Sequence, residues 1–243
     1  MSATVRIGTS GWHYDHWEGA FYPNDMDHET RLPFYAKAFP TVEINNSFYQ
    51  LPEFETLRKW QEATPAAFRF AVKASRYITH MKKLNEPEEP LVNFLSRMAE
   101  MGEKLGPILF QLPPNWHLDE RRLAGFLAKL PEGQRYVLEF RHPSWFDAAV
   151  YEHLREHNVG FCIHDMAEHP SPKEVTADFV YIRFHGPAET AYQGSYETEA
   201  LAGWAGAIST WQRQGRDVYC YFNNDQKGYA PRNAQALTEM LGQ

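Results

Sequence analysis

Cysteine is nearly absent: of 243 residues only Cys162 and Cys220 are cysteine, and they fall in separate strand-like runs. That spacing argues against a disulfide framework, rules out a cysteine-built zinc site and fits a reducing compartment. Long apolar stretches are also missing. No run approaches the roughly 18 residues of a membrane span, and the start, MSATVRIGTSG, has no basic segment leading into an apolar one. A cytoplasmic protein without a membrane partner is therefore expected. Positive charge is in deficit, with 24 Lys and Arg against 31 Asp and Glu and a net charge of −7. This balance argues against a broad surface for nucleic acid, while leaving room for a local basic pocket. No Rossmann fingerprint or P-loop follows any strand-like run, so no cofactor is expected, and no linker, low-complexity tract or internal repeat interrupts the chain.

What is present is the composition of a packed domain. Hydrophobic residues make up 43% and charged residues 23%, which supports a sizeable core, and the aromatic share of 15% is high enough to furnish a rim as well as a core. Eight β-branched and aromatic runs recur: TVRIGTS, TVEINNSF, FRFAVKAS, PILFQLP, YVLEFRH, GFCIHD, DFVYIRFHG and DVYCYFNND. Stretches with apolar residues at helical spacing, such as PLVNFLSRMAEMGEKLG and EALAGWAGAISTWQRQG, lie between them. Strand then helix, repeated, implies a parallel sheet; eight units averaging about 30 residues predict a single-domain α/β fold over 1–243, a (β/α)8 barrel of parallel strands. The segment MAEHPSPKEVTA after the sixth strand is broken by proline and poorly periodic, so its crossover helix should be short or missing.

Side chains alternate along a strand, so one parity faces the helices and the other the lumen. Val42 and Ile44 form the apolar set of the second strand, leaving Glu43 and Asn45 inward; Phe70 and Val72 leave Lys73 inward. The same rule turns Gln111, Glu139, Arg141, His164, Arg183, His185, Tyr221 and Asn223 into the lumen. One internal ion pair, such as Glu43 with Lys73, is common in a purely structural core. A whole set is harder to explain so, because each buried unpaired charge costs several kcal/mol and a barrel is readily filled with Val, Ile and Leu. The set also lies at the C-terminal strand ends, where barrel active sites are built.

Glu139, His164, Lys73 and Glu43 are the expected catalytic set, with Glu139 as the acid–base group or, on the competing reading, the partner of Arg141 or Lys73 in a plain ion pair; Arg141, Arg183, His185, Asn45, Gln111, Tyr221 and Asn223 are the expected substrate contacts. In the first loop, TSGWHYDHWEGAFYP, Trp12 with Tyr14 and Trp17 suits an entrance, whereas His13 and His16 read as surface residues. HGPAETAYQGSY after the seventh strand is long enough to act as a lid. Lys227, Gly228 and Arg232 gather where the last helix begins, a common phosphate position in barrels, although an exposed basic turn is as simple a reading.

The blocks IGTSGWHYDHWEGAFYP, VEINNSFYQLP, FAVKASRYITH, LFQLPPNW, LEFRHPSWF, YIRFHG and YFNNDQKGYAPRNA, in this order between residues 7 and 237, resemble the YecE-like family, domain of unknown function 72. The resemblance implies a TIM-type barrel whose shared motifs fall on the inward residues, and it assigns no residue a chemical role. His13 stands where a small polar residue is usual in that family, which sets it apart from the catalytic candidates.

These residues predict first a metal-independent enzyme acting on a small anionic substrate bearing phosphate or carboxylate, since Lys73, Arg141 and Arg183 converge with Glu139 and two imidazoles. A divalent-metal barrel like the sugar isomerases or the endonuclease IV class of phosphodiesterases is the alternative, with Glu43, Glu139, His164, His185 and Asp165 as ligand types. Three inward cations oppose it. A glycosidase using Glu43 and Glu139 and a binding barrel without turnover complete the alternatives.

Overall fold

The computed structural model describes residues 3–167 and 169–242. Eight strands form the wall: β1 (Val5–Thr9), β2 (Thr41–Ile44), β3 (Arg69–Lys73), β4 (Leu105–Gln111), β5 (Tyr136–Glu139), β6 (Gly160–Asp165), β7 (Phe179–Phe184) and β8 (Asp217–Phe222). They run in the order β1-β8-β7-β6-β5-β4-β3-β2, every pairing parallel. A bridge from Ser10 to Glu43, with Gly11 N donating to Glu43 O at 2.9 Å, brings β1 back against β2 and nearly closes the barrel. Gly8 makes that approach possible, since a Cβ there would run into the Thr41 carbonyl. The expected (β/α)8 barrel is therefore the fold.

Among the described residues seven α-helices alternate with the strands: α1 (His28–Ala38), α2 (Phe54–Glu62), α3 (Glu88–Met98), α4 (Glu120–Leu127), α5 (Ala148–Glu156), α6 (Thr198–Arg213) and α7 (Tyr229–Met240). Asp27, Asp119 and Asp147 cap α1, α4 and α5 by accepting backbone N–H groups that would otherwise be unpaired. No helix is described between β6 and β7, as the broken pattern of MAEHPSPKEVTA predicts. That crossover instead bonds to the strand tip: Ser171 Oγ accepts from His164 N at 2.8 Å and Ser171 N donates to His164 O at 2.9 Å. The bonds matter because the β5–β6 ladder registers only Val137 with Gly160 and Leu138 with Phe161, so β5 leaves the upper part of β6 open.

The core divides as the alternation of side chains requires. Val42, Ile44, Phe70, Val72, Ile108, Phe110, Leu138, Phe140, Phe161 and Ile163 pack in the cluster shared with the helices. Ala71, Leu109, Val137, Cys162, Phe179, Tyr181, Tyr219 and Tyr221 form a second, separate cluster that fills the lumen. Both cysteines are buried free thiols, Cys162 inside the barrel and Cys220 outside it. Among the described residues no helix is long and apolar enough to cross a membrane.

Candidate functional site

Above the apolar lumen lies a layer of charge centred on Arg183. Its Nη2 donates to Glu43 Oε1 and its Nη1 to Glu139 Oε2, each at 2.7 Å, so one guanidinium joins carboxylates from β2 and β5. Glu43 is completed by the Ser10 hydroxyl at 2.7 Å and the Tyr181 hydroxyl at 2.6 Å. Glu139 Oε1 lies 2.5 Å from Arg141 Nε, an ion-pair contact whose N–H is not aligned for a hydrogen bond, and 3.2 Å from His185 Nε2. Glu43, Glu139 and His185 are 0% exposed and Arg183 1%, so the cost of burying charge is offset only by this pairing.

Several of these residues stand just past their strands. β5 ends at Glu139, β7 at Phe184 and β8 at Phe222, yet Arg141, His185 and Asn223 keep the inward parity. Arg141 Nη2 is 2.9 Å from His185 Nε2, and Asn223 Nδ2 is 3.2 Å from His185 Nδ1. Two tautomers satisfy the ring: Nε2–H donating to Glu139 with Nδ1 accepting from Asn223, or Nε2 accepting from Arg141 with Nδ1–H donated to the Asn223 amide oxygen. Among the described residues, the other end of Arg141 meets only the Met166 thioether, at 3.5 Å.

The electrostatics follow from burial and pairing. Burial alone would raise the Glu139 carboxyl, but the charges of Arg141 and Arg183 overcome it and hold the group well below the usual carboxylate range. Burial and the Arg141 charge drive His185 well below the ordinary imidazole value, so the ring is neutral. Burial likewise pushes His164 down to about 4; its ring centroid lies 6.0 Å from that of His185, and its Nδ1 is buried without a partner. Lys73 is lowered to about 8, by burial first and then by Arg183, against the opposing pull of Glu139 and Glu43.

The structure thus brings Glu43, Glu139, Arg141, Arg183, His185 and Asn223 into one bonded network. Asn45, Lys73 and Gln111 are half-buried at the mouth, and Gln111 is the register partner of Glu139. Tyr221 belongs to the lumen core, where its hydroxyl is 2.7 Å from that of Thr41. Among the described residues no side-chain hydrogen bond or ion pair joins Trp12, Lys227 or Arg232 to the network. Trp12 packs against His13 and Trp60 beside a 410 Å³ flank cleft, while Lys227 and Arg232 are exposed. Asp165 accepts from Trp204 Nε1 at 2.9 Å, and His13 and His16 are exposed, as expected of surface residues. A second cleft, of 440 Å³, flanks the exit of β3 and is lined by Leu51, Tyr77, Ile78 and Phe94 among others; the charged network itself is closely packed.

Sequence reasoning missed the two hydroxyls on Glu43. Tyr181 has the same parity as Arg183 and was open to the rule, whereas Ser10 lies beyond the end of β1. It also missed the asparagines that hold the loops over the mouth. Asn224 Nδ2 donates to Gly194 O at 2.8 Å and to Asn233 Oδ1 at 2.9 Å, and Asn233 in turn contacts Ser195 and Tyr196. The loop after β7 folds back on His185, whose carbonyl accepts from Tyr192 N at 2.6 Å. Gly186, at φ +96°, permits that fold, because a side chain there would collide with the Gln193 backbone.

Comparison with known proteins places this geometry in a family. The chain is 28% identical over 270 residues to UPF0759 protein YunF of Bacillus subtilis, spanning 98% of this chain and 94% of that protein. It is 32% identical to UPF0759 protein YecE of Escherichia coli over 143 residues, 58% of this chain and 50% of that one. Among solved structures, a DUF72 family protein from Thermotoga maritima superposes with a TM-score of 0.88 at 30% identity, covering 99% of this chain and all of that one. One from Enterococcus faecalis gives 0.84 at 22% identity, covering 99% and 96%, a likeness of fold. The family model described as "Protein of unknown function DUF72" matches residues 6–243, and the chain belongs to that family.

Proposed function

We propose that the mouth of the barrel binds a small anion carrying phosphate or carboxylate and transforms it without a metal ion. The observation that carries this reading is an imbalance of charge. Two carboxylates, Glu43 and Glu139, face three cations, Arg183, Arg141 and Lys73, and no carboxylate lies within ion-pair distance of Lys73 among the described residues. With His164 and His185 neutral, the site carries excess positive charge that an anionic ligand would neutralise in a partly enclosed setting. Both Nη groups of Arg183 are engaged by carboxylates, so direct contact falls to the far end of Arg141 and to Lys73, with Asn45, Gln111 and Asn223 as neutral partners.

Division of labour follows from the same geometry. Glu139, ionised and enclosed by cations, is a weak base and a strong anchor, which favours the ion-pair role over proton transfer. His164, neutral with an unpartnered nitrogen, and Lys73 are better suited to move protons. The metal-dependent alternative is less well supported, because Glu43 and Glu139 would have to exchange Arg183 for the ion. The same engagement counts against a glycosidase pair.

Thermal unfolding in rising phosphate or sulfate tests the proposal. The melting temperature should climb with anion concentration, and Arg141→Gln should remove most of the climb. A rise that survives in folded Arg141→Gln and in Lys73→Met refutes anion binding at this mouth. Turnover of any anion that stabilises the protein then separates an enzyme from a binding barrel.

A further inference from the structure

We infer that the Lys73 amine is a carbonyl-condensing group, forming an imine with the aldehyde or ketone of a small anion bound at the mouth. The inference deepens the reading above and rests on it. Lys73 ends β3, and its carbonyl accepts from the Ser47 hydroxyl at 2.7 Å, which fixes the backbone at the rim. Its Nζ stands 4.1 Å from the centroid of the Phe48 ring, which His80 braces from the edge at 4.9 Å. The other two ring cations are committed, Arg183 to both carboxylates and Arg141 to Glu139. The Lys73 Nζ makes no hydrogen bond or ion pair among the described residues, so its lone pair, once the proton leaves, is not claimed by the protein.

Chemistry suits the placement. A buried amine near fixed guanidinium charge loses its proton more readily than one in water, and Lys73 accordingly falls to about 8, although the Phe48 face on its own favours the ammonium. The nitrogen lone pair attacks the carbonyl carbon, the C=O electrons go to oxygen, and the proton shed by the nitrogen passes through water to that oxygen to give a neutral carbinolamine. A second proton on the same oxygen releases water, leaving C=N and no change in oxidation state. The protonated imine is a cation, and Glu139 and Glu43, which already favour the charged form of Lys73, stabilise it by the same field. The ligand class is a small oxo acid or a phosphorylated aldehyde or ketone.

The test is reductive trapping on the full-length protein near neutral pH, with glyoxylate as the anionic aldehyde, propanal as the uncharged one and cyanoborohydride as reductant. Intact mass and peptide mapping locate the adducts. A lowering from 10.5 to about 8 gives Lys73 on the order of 100-fold more free amine near neutral pH than the unshifted value allows, and exposed Lys37 serves as the comparison site. Glyoxylate should therefore label Lys73 well ahead of Lys37, excess phosphate should slow that labelling, and folded Lys73→Arg, which keeps the charge, should lose the fast adduct. Labelling of Lys73 no faster than Lys37 with both aldehydes overturns the inference. If phosphate still raises the melting temperature in that case, imine formation fails and anion binding stands. If both aldehydes label Lys73 rapidly and phosphate alters neither labelling nor melting, the imine stands and anion binding fails.

Discussion

Replacing Glu139 by glutamine preserves the shape of the side chain and removes one charge from the centre of the network. Glu139 Oε2 accepts from Arg183 Nη1 at 2.7 Å, and Oε1 lies 2.5 Å from Arg141 Nε. An amide has one oxygen and one NH2, so glutamine can present an acceptor to one guanidinium only by turning a donor toward the other. Arg183 would keep Glu43, but the second cation would stay buried against a donor. Breaking a buried ion pair from one side costs about 3–5 kcal/mol, a large share of the roughly 5–15 kcal/mol that holds a folded protein together. At about 2–4 °C per kcal/mol for a chain of this size, the melting temperature should fall by roughly 6–20 °C. Urea unfolding followed by tryptophan fluorescence would give the same loss as a shift in midpoint at constant slope. The pH dependence adds a signature. A carboxyl lowered on folding contributes stability that is present above its unfolded value, near 4.5, and lost as pH falls through the lower folded value. The gap between wild type and Glu139→Gln should therefore persist down to about that pH and close only below it. If Glu139→Gln unfolds within about 1 kcal/mol of wild type, the anchoring role is wrong, and a loss of turnover without a loss of stability would restore the acid–base role.

Two further outcomes follow from the remaining titrating groups. His164 is lowered from 6.5 to about 4 and His185 well below 6.5, so below about 6.5 the unfolded chain binds protons that the folded one refuses, and stability falls with pH by roughly 1.4 kcal/mol per unit for each ring. His164→Gln should flatten part of this acid limb in urea melts at stepped pH; an unchanged slope would mean that His164 is not held neutral. Lys73 has the opposite timing: its lowering to about 8 is a penalty in full force below that value and relieved as pH rises toward 10.5. Lys73→Met should thus stabilise the protein near neutral pH, by at most about 3 kcal/mol, with the gain fading through the alkaline range, and a variant equal to or weaker than wild type at neutral pH would contradict the reasoning.

The barrel was legible because its strands repeat a simple rule. Val42 and Ile44, Phe70 and Val72, Leu138 and Phe140 are apolar at every second position, and all six pack with the helices. The parity that buries them leaves Glu43, Glu139 and Arg183 no direction but inward. Partnership was not legible, because it spans the lumen. Glu43 and Arg183 are 140 residues apart on strands that are not neighbours, and nothing local distinguishes Arg183, paired with two carboxylates, from Lys73, which is paired with none among the described residues. Loops obey no period, which is why Trp12 suited an entrance but packs against Trp60, and why the brace of Asn224 and Asn233 went unseen.

A barrel filled with valine and leucine would avoid the desolvation cost that Glu43, Arg183 and Glu139 incur, so stability alone gives no reason for them. What the triad supplies is fixed charge in fixed places. Each Nη of Arg183 is bonded to a different carboxylate, and each carboxylate is bonded again, Glu43 to Ser10 and Tyr181, Glu139 to its neighbours Arg141 and His185. None of these groups can turn without breaking several charged contacts. Arg141 and Lys73, half-buried above them, therefore sit in a field that does not relax when a ligand arrives. A preorganised field acts on charge more strongly than solvent that must reorient. The sealed triad and the accessible cations thus form one device, in which the buried layer sets the ionisation of the layer that meets the ligand.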